Sequence, residues 1–134
     1  MTIVICADKN GGILFNDRRQ SRDSKLIEDL IAFAKNRKIL SAPYSEKLFA
    51  STGSDLCFCP DYLDRAGEND VCFVEKEDFA PYLSAANELV VYRWNKVYPA
   101  DKFFCPEDFG FRLANKTDFP GSSHDNIDRE VYVK

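Results

Sequence analysis

The sequence predicts one α/β domain over residues 1–134, with a mainly parallel central sheet, helices on both faces and a C-terminal antiparallel hairpin. Short β-prone segments alternate with helical ones along most of the chain, which is typical of parallel βαβ units. Several of these strands are continuously apolar, as strands covered on both faces are. A length of 134 residues is enough for one hydrophobic core.

The first elements follow from local patterns. Residues 2–7 form an apolar, β-branched run that predicts a central strand. The polar segment Asp8–Arg22 contains Asn-Gly-Gly, so we expect a long loop. Between Asp23 and Lys35, apolar residues recur at three- and four-residue intervals, which predicts an amphipathic helix capped by Asp23 or Ser24.

The remaining elements are short. Strands are predicted at residues 39–40, 56–59, 71–74 and 89–94, separated by helical or turn segments at 43–49, 60–66 and 79–86. Residues 111–117 and 129–133 flank a Pro-Gly-Ser-Ser turn and predict the closing hairpin.

Composition argues against several classes of partner. The 18 basic and 22 acidic residues give a net charge of -4, so no nucleic-acid partner is expected. No segment approaches the ~20 apolar residues of a spanning helix, so no membrane partner is expected. The N-terminus MTIVICAD has no signal-peptide pattern, which favours a cytoplasmic location. Nothing in the sequence indicates the oligomeric state.

The five cysteines are interpreted as reduced thiols in or near the core. Four of them lie in apolar β-like runs, and Cys57 and Cys59 should point to the same face of one strand. There is no CxxC spacing and no histidine cluster, so no metal site is expected.

The order of elements and several local segments resemble dihydrofolate reductase. Ala7–Ile13 is similar to the exit of that family's first strand and its mobile active-site loop. Glu88–Trp94 is similar to a late strand of the form K-L-Y-L-T-x-I, Ala100–Phe104 to the G-D-T-x-F segment after it, and Ser122–His124 with Glu130–Val133 to the last hairpin. The resemblance covers most of the chain and implies that family's fold more strongly than its function.

The resemblance also implies where NADPH would bind, and the residues there differ. The family's Gly-Gly pair after the fourth strand is replaced by Glu75-Lys76-Glu77-Asp78, whose carboxylates would repel phosphate. Its G-R-x-[ST] element is replaced by Ala42–Ser45, which has no arginine. We therefore expect no cofactor and no NADPH-dependent reduction. The acidic run is interpreted as a solvated loop rather than a metal site.

The segment Arg18–Asp23 is the strongest candidate for a binding site. Arg18, Arg19 and Arg22 lie beside a helix N-terminus, a combination that favours a small anionic ligand. The resemblance implies that Asp23 corresponds to the family's essential carboxylate and that Tyr92 lies near the ligand. The alternative is that the arginines pair with nearby carboxylates and only fix the loop.

His124 is the only histidine, so any imidazole chemistry must use it. The resemblance implies that Ser122, Ser123 and His124 contact the Arg18–Asp23 segment. Asp23 and His124 are the candidate acid or base of a cofactor-independent enzyme. A Ser/His/Asp relay made of adjacent residues in this one turn is disfavoured, because their side chains do not line up in series. Such residues commonly cap a turn instead.

Three functions remain open. The chain is a binding protein for a small anion, a cofactor-independent enzyme, or an interaction module that uses Tyr44, Trp94 and Tyr98 without a small ligand. A zinc-dependent ribonuclease Z is excluded, because one histidine cannot supply the H-x-H-x-D-H ligands of its two metals. A filled cleft with apolar side chains exposed elsewhere would favour the interaction module.

Overall fold

The computed structural model of the chain describes residues 1–49 and 55–134. The strands are β1 (Thr2–Ala7), β2 (Gly12–Phe15), β3 (Arg18–Arg19), β4 (Ile39–Ser41), β5 (Leu56–Phe58), β6 (Val71–Phe73), β7 (Glu88–Arg93), β8 (Lys102–Phe103), β9 (Arg112–Phe119) and β10 (Ile127–Val133). The α-helices are α1 (Ser24–Ala34) and α2 (Tyr62–Arg65), and 3₁₀ helices cover Pro43–Phe49, Ala80–Tyr82 and Pro106–Phe109.

The predicted central sheet is confirmed. Seven strands follow the order β5-β4-β6-β1-β7-β10-β9. The pairs among β5, β4, β6, β1 and β7 are parallel, whereas β10 pairs antiparallel with both β7 and β9. Because β1 lies between β6 and β7 and is covered on both faces, nearly all of its residues must be apolar, as its sequence indicates.

Helical elements cover both faces of the sheet, as expected, but they are short. On one face, α1 packs Leu26, Ile27 and Leu30 against the sheet. On the other face, Tyr62 of α2 and Phe79, beside a 3₁₀ helix, belong to the second apolar cluster. The 11 residues of α1 make it the longest helix among the described residues, so this face provides the more regular packing surface.

The expectation of a long loop over Asp8–Arg22 was wrong. Strands β2 and β3 form a hairpin, and β2 also pairs with β8, which creates a second, three-stranded sheet. Asn16 and Asp17 at the hairpin turn have φ angles of 52° and 58°, the positive values that a type I′ turn requires. Asn16-Asp17 is therefore a local signal for the hairpin, because Asn and Asp tolerate positive φ.

The location expected for the thiols, in or near the core, is confirmed for Cys72 but is wrong for Cys105, which is exposed. All five cysteines are free, and Cys72 is buried. Cys57 and Cys59 project from the same side of the chain, with their Sγ atoms 3.8 Å apart. Within the described ranges, no helix has the length and apolar character needed to cross a membrane.

Replacing Leu30 with alanine should destabilise the domain by about 2–5 kcal/mol, because the side chain is fully buried between α1 and the sheet and its loss leaves a cavity. Chemical denaturation measures the change in the free energy of unfolding. Glu28→Ala on the exposed face of the same helix is the matched control, and it should change that free energy by no more than about 0.5 kcal/mol. Equal effects of the two substitutions would contradict the assignment of the buried face.

Candidate functional site

The Asp23 carboxylate joins the start of α1 to the turn between β9 and β10. Its Oδ1 atom accepts the backbone N–H groups of Lys25 and Ser122, each at 2.9 Å, and the Ser122 hydroxyl at 3.0 Å. Its Oδ2 atom accepts the backbone N–H of Ser123 at 2.9 Å, the Ser123 hydroxyl at 3.2 Å and Nδ1 of His124 at 2.9 Å. Asp23 is thus both the helix cap that the sequence predicts and the anchor of a turn about 100 residues away.

This environment keeps Asp23 ionised. Burial by itself would raise the pKa of the carboxyl group, since the Asp23 side chain has no exposed surface. The hydrogen bonds from Ser122, His124 and Ser123 outweigh burial and hold the pKa well below its ordinary value. Near neutral pH, Asp23 is therefore a hydrogen-bond acceptor and is unsuited to donate a proton.

His124 is held from several sides. Its Nδ1 faces Asp23, while its Nε2 lies 3.0 Å from both the Ser21 Oγ and the Tyr98 hydroxyl. The imidazole stacks on the Trp94 indole, with ring centroids 4.6 Å apart and planes 25° apart. Because these contacts come from two separate segments of the chain, residues 21–23 and 94–98, the orientation of the ring is tightly defined.

Arg19 does not project into open solvent. Its guanidinium donates to both carboxylate oxygens of Glu75, at 2.8 and 2.9 Å, and also to the Tyr44 carbonyl oxygen. The guanidinium carbon lies 4.3 Å from the centre of the Tyr44 ring. Ser45 donates to Glu75 as well, at 2.7 Å. Arg19 and Glu75 therefore tie β3 to the exit of β6 and to the 3₁₀ helix at Pro43–Phe49.

The acidic run Glu75–Asp78 was expected to be a solvated loop, and this was wrong for two of its members. Only 8% of the Glu75 side chain is exposed, and the Arg19 guanidinium balances its charge. Glu77 accepts a 2.6 Å hydrogen bond from the buried Tyr62 hydroxyl. Within residues 1–49 and 55–134, no group of three or more His, Cys, Asp or Glu side chains could hold a metal ion.

Tyr92 lies on the α1 face of the sheet together with Trp94, away from the Arg19–Glu75 pair. Its hydroxyl donates to the Asp29 carboxylate at 2.7 Å, and Arg129 donates to the same carboxylate. Burial, followed by this hydrogen bond, raises the pKa of Tyr92. Arg93 points to the opposite face and pairs with Glu130. Tyr92 therefore belongs to a helix-to-sheet contact and not to the Arg18–Asp23 segment.

The inner cleft between the two sheets is almost filled. A cavity of about 10 Å³, room for roughly one water molecule, is lined by residues that include Cys6, Ile13, Arg19, Ser21 and Trp94. Trp94 is buried in this wall and cannot contribute to an external interaction surface.

Two open grooves outside the filled cleft border the Arg18–Asp23 segment. The groove of about 280 Å³ at the start of α1 is lined by Arg22, Ser24, Ile27, Lys47, Leu48 and the turn serines. A second groove of about 530 Å³ lies beside Arg18, Tyr98 and Pro99. The three arginines of the Arg18–Asp23 segment thus separate: Arg18 lines one groove, Arg22 lines the other, and Arg19 is paired with Glu75.

Sequence reasoning did not identify Ser21, Lys47, Glu75 and Tyr98 as members of these arrangements. Lys47 lies in the segment predicted to be helical or a turn at 43–49, but no local pattern indicates that it lies beside Arg22. The contacts of Ser21 and Tyr98 with His124 span 103 and 26 residues and leave no local signal.

Comparison with known proteins identifies the fold. No protein-family model and no curated protein matches the chain in sequence. Among solved structures, dihydrofolate reductase from Enterococcus faecalis, complexed with NADP(H) and RAB-propyl, superimposes with a TM-score of 0.68 and 12% sequence identity. The match covers 98% of this chain and 94% of that one. At this identity the likeness establishes a dihydrofolate reductase-like fold.

Replacing Asp23 with asparagine should destabilise the domain near neutral pH by about 2–4 kcal/mol, because donors aimed at a buried carboxylate lose their acceptor. The pKa of Asp23 is lowered on folding, so its contribution is fully present above its ordinary value of 3.8 and is lost as the pH falls toward the folded value. The difference in unfolding free energy between wild type and variant should therefore be constant from pH 5 to 7 and shrink below about pH 4. A difference that grows at acid pH would contradict the lowered pKa.

Gly121→Ala should also destabilise the domain, by about 1–3 kcal/mol. A Cβ at this position would lie 2.6 Å from the Asp23 Oδ2 atom and 2.8 Å from the His124 carbonyl oxygen, so the turn would have to move. Thermal unfolding measures the effect. Gly67→Ala is the control, since its Cβ would meet only the Asp70 side chain at 3.3 Å. A smaller loss of stability for Gly121→Ala than for Gly67→Ala would argue against the tight packing of the turn on Asp23.

Proposed function

We propose that this dihydrofolate reductase-like domain binds a small anionic ligand in the groove at the start of α1 and does not carry out NADPH-dependent reduction. The observation that carries the proposal is a pair of cations, Arg22 and Lys47, which line the same groove. Neither has a carboxylate partner within residues 1–49 and 55–134. In a chain of net charge -4, two unneutralised cations in one concave site favour an anion.

The groove offers neutral polar contacts as well as charge. The Ser24 and Ser122 hydroxyls lie at its edge, 2.9 Å apart, and the positive end of the α1 dipole faces it. Ile27 and Leu48 provide apolar walls. These features suit a small molecule that carries a phosphate or carboxylate group on an apolar or partly apolar skeleton.

The Asp23 carboxylate beneath the groove does not oppose such a ligand strongly. Its side chain has no exposed surface, and it already accepts six hydrogen bonds from backbone and side-chain donors. A ligand in the groove therefore meets Arg22, Lys47 and the serines before it meets this charge. Of the ligand-binding residues that the sequence predicts, the proposed site includes Arg22, and Lys47 lies beside it. Arg19 and Tyr92 are not part of it, because they bind Glu75 and Asp29.

The region around Glu75 supports the second part of the proposal, that the protein does not carry out NADPH-dependent reduction. Arg19, Tyr44 and Ser45 converge on this residue and fill the space above the exit of β6. The Glu77 carboxylate lies in the same segment and adds a negative charge beside the Arg19–Glu75 pair. A pyrophosphate would have to displace these contacts and approach two carboxylates, both of which cost free energy.

An interaction module is the second candidate, since the inner cleft is filled and apolar side chains are exposed elsewhere. Phe103 is 63% exposed, Val97 61% and Phe15 42%, all in or near the small sheet of β2, β3 and β8. Tyr44 is also exposed, at 37%, although Arg19 and Lys76 lie over its ring. In either role we expect a cytoplasmic protein, because its free thiols suit a reducing compartment.

Inorganic phosphate, and phosphorylated metabolites screened beside it, should raise the melting temperature of the wild-type protein at constant ionic strength. A ligand at 100 times its dissociation constant stabilises the native state by about 2.7 kcal/mol. Arg22→Ala and Lys47→Ala should each remove most of this response, whereas Arg18→Ala, which removes a cation from the other groove, should retain it.

Three results would count against the proposal: no anion stabilises the protein, Arg18→Ala abolishes the response, or the response persists when both Arg22 and Lys47 are replaced. NADPH at micromolar concentration should have no effect on the melting temperature. Stabilisation by NADPH that Arg22→Ala leaves intact would contradict the assignment of a non-reductase.

A further inference from the structure

We propose that Ser21, His124 and Asp23 form a site for acyl transfer from small esters, with Ser21 as the nucleophile. The three side chains stand in series: Ser21 Oγ lies 3.0 Å from His124 Nε2, and His124 Nδ1 lies 2.9 Å from Asp23 Oδ2. This is the order of nucleophile, base and carboxylate that serine-dependent acyl transfer requires. The site uses neither Arg22 nor Lys47, although Asp23 also lines their groove.

The surroundings of Asp23 decide which nitrogen of His124 carries the proton. An ionised carboxylate can only accept hydrogen bonds, so Nδ1 of a neutral imidazole must bear the hydrogen that Asp23 receives. The lone pair then lies on Nε2, directed at the Ser21 hydroxyl. His124 is therefore in the tautomer that can remove a proton from Ser21.

The base and the carboxylate are rigid and shielded, while the nucleophile is accessible. The exposed fractions of the His124 and Asp23 side chains are 2% and 0%, and the Trp94 indole stacks on the imidazole. Ser21 is only half-buried. A site that fixes its base beside a partly exposed nucleophile needs little rearrangement before reaction.

The Tyr98 hydroxyl also lies 3.0 Å from Nε2. A neutral imidazole has one lone pair there, so Tyr98 and Ser21 share a single acceptor. When Nε2 takes the Ser21 proton, the Tyr98 oxygen can accept a hydrogen bond from the imidazolium. Tyr98 thus holds the ring from the side opposite Asp23 in both protonation states.

The space beside Ser21 limits the size of the acyl group. The adjoining cavity has a volume of about 10 Å³ and is lined in part by Ile5, Ile13 and Val74. No acyl group fits in this cavity, so the acyl group must approach Ser21 from its partly exposed side, which favours a small one. The substrate class we infer is an ester of a short carboxylic acid.

The reaction balances with water as the only co-reactant. Ser21 Oγ forms a bond to the acyl carbon as its proton moves to Nε2, and the carbonyl π electrons move to the carbonyl oxygen. Collapse of this intermediate breaks the ester C–O bond, and the proton on Nε2 passes to the leaving alcohol. Water then attacks the acyl-serine in the same way, which releases the carboxylic acid and restores Ser21 and His124.

A fluorophosphonate probe tests the assignment directly, because a serine activated in this way displaces fluoride and forms a stable phosphonate ester. The full-length wild-type protein should gain the mass of one probe, and tandem mass spectrometry should locate it on Ser21. The same protein should release nitrophenolate from p-nitrophenyl acetate faster than buffer alone. Ser21→Ala should lose both the label and the ester hydrolysis.

Control variants distinguish this reaction from non-specific labelling of exposed serines. Ser84→Ala removes an exposed serine far from the site in sequence and should label as the wild type does. Folded His124→Gln, verified by circular dichroism, should label at least about 100-fold more slowly, since it has lost its base. If His124→Gln does not fold, the comparison of wild type with Ser21→Ala in labelling and ester hydrolysis still tests the proposal.

The proposal is overturned if the wild-type protein acquires no label on Ser21, or if Ser21→Ala hydrolyses the ester at the wild-type rate. Failure here leaves the phosphate response of Arg22 and Lys47 untouched, so the two proposals can be judged separately.

Discussion

The buried carboxylate of Asp23 is the constraint on which this arrangement depends. A carboxylate with no exposed surface is costly unless donors surround it, and here they come from α1, from the turn between β9 and β10, and from His124. Once those donors are in place, the last hairpin must lie against the start of the first helix. The packing of the last hairpin against α1 and the orientation of the only imidazole thus have one physical cause.

The Arg19–Glu75 ion pair fixes the other side of the cleft. Arg19 pairs with Glu75 and balances the charge of that carboxylate, so the acidic segment Glu75–Asp78 is partly neutralised. The pair also explains how a dihydrofolate reductase-like fold can have a nearly filled cleft. The likeness to dihydrofolate reductase extends over the backbone of almost the whole chain, while the side chains in the cleft satisfy one another.

The two proposed sites lie on either side of Asp23 and use it differently. In the groove at Arg22 and Lys47, Asp23 is a buried charge beneath a surface for anions, and its hydrogen bonds limit its influence on the ligand. Toward the interior, the same carboxylate sets the tautomer of His124 and so gives Ser21 a base. One residue therefore determines the shape of the groove and the proton chemistry of the interior.

Local sequence by itself determined the regular elements. The apolar run of β1, the three- and four-residue spacing of α1 with its Asp23 cap, and the turn before β10 are encoded within a few residues of each element, so patterns are sufficient to find them. The resemblance to dihydrofolate reductase, carried by short segments in the same order, implied the fold that the structural comparison supports. Even the missed β2–β3 hairpin had a local signal in Asn16 and Asp17.

Only the tertiary structure decided which side chains meet. Arg19 lies 56 residues from Glu75, Ser21 lies 103 residues from His124, and Tyr92 lies 63 residues from Asp29. No spacing rule connects such positions, because the contacts arise from the packing of whole elements against each other. The sequence could therefore indicate that Arg18, Arg19 and Arg22 were unusual, but not that Arg19 would be paired, that Lys47 would join Arg22, or that Ser21 would face an imidazole. Those outcomes follow from the packing of the folded chain, in which the carboxylates of Asp23 and Glu75 meet donors from distant segments.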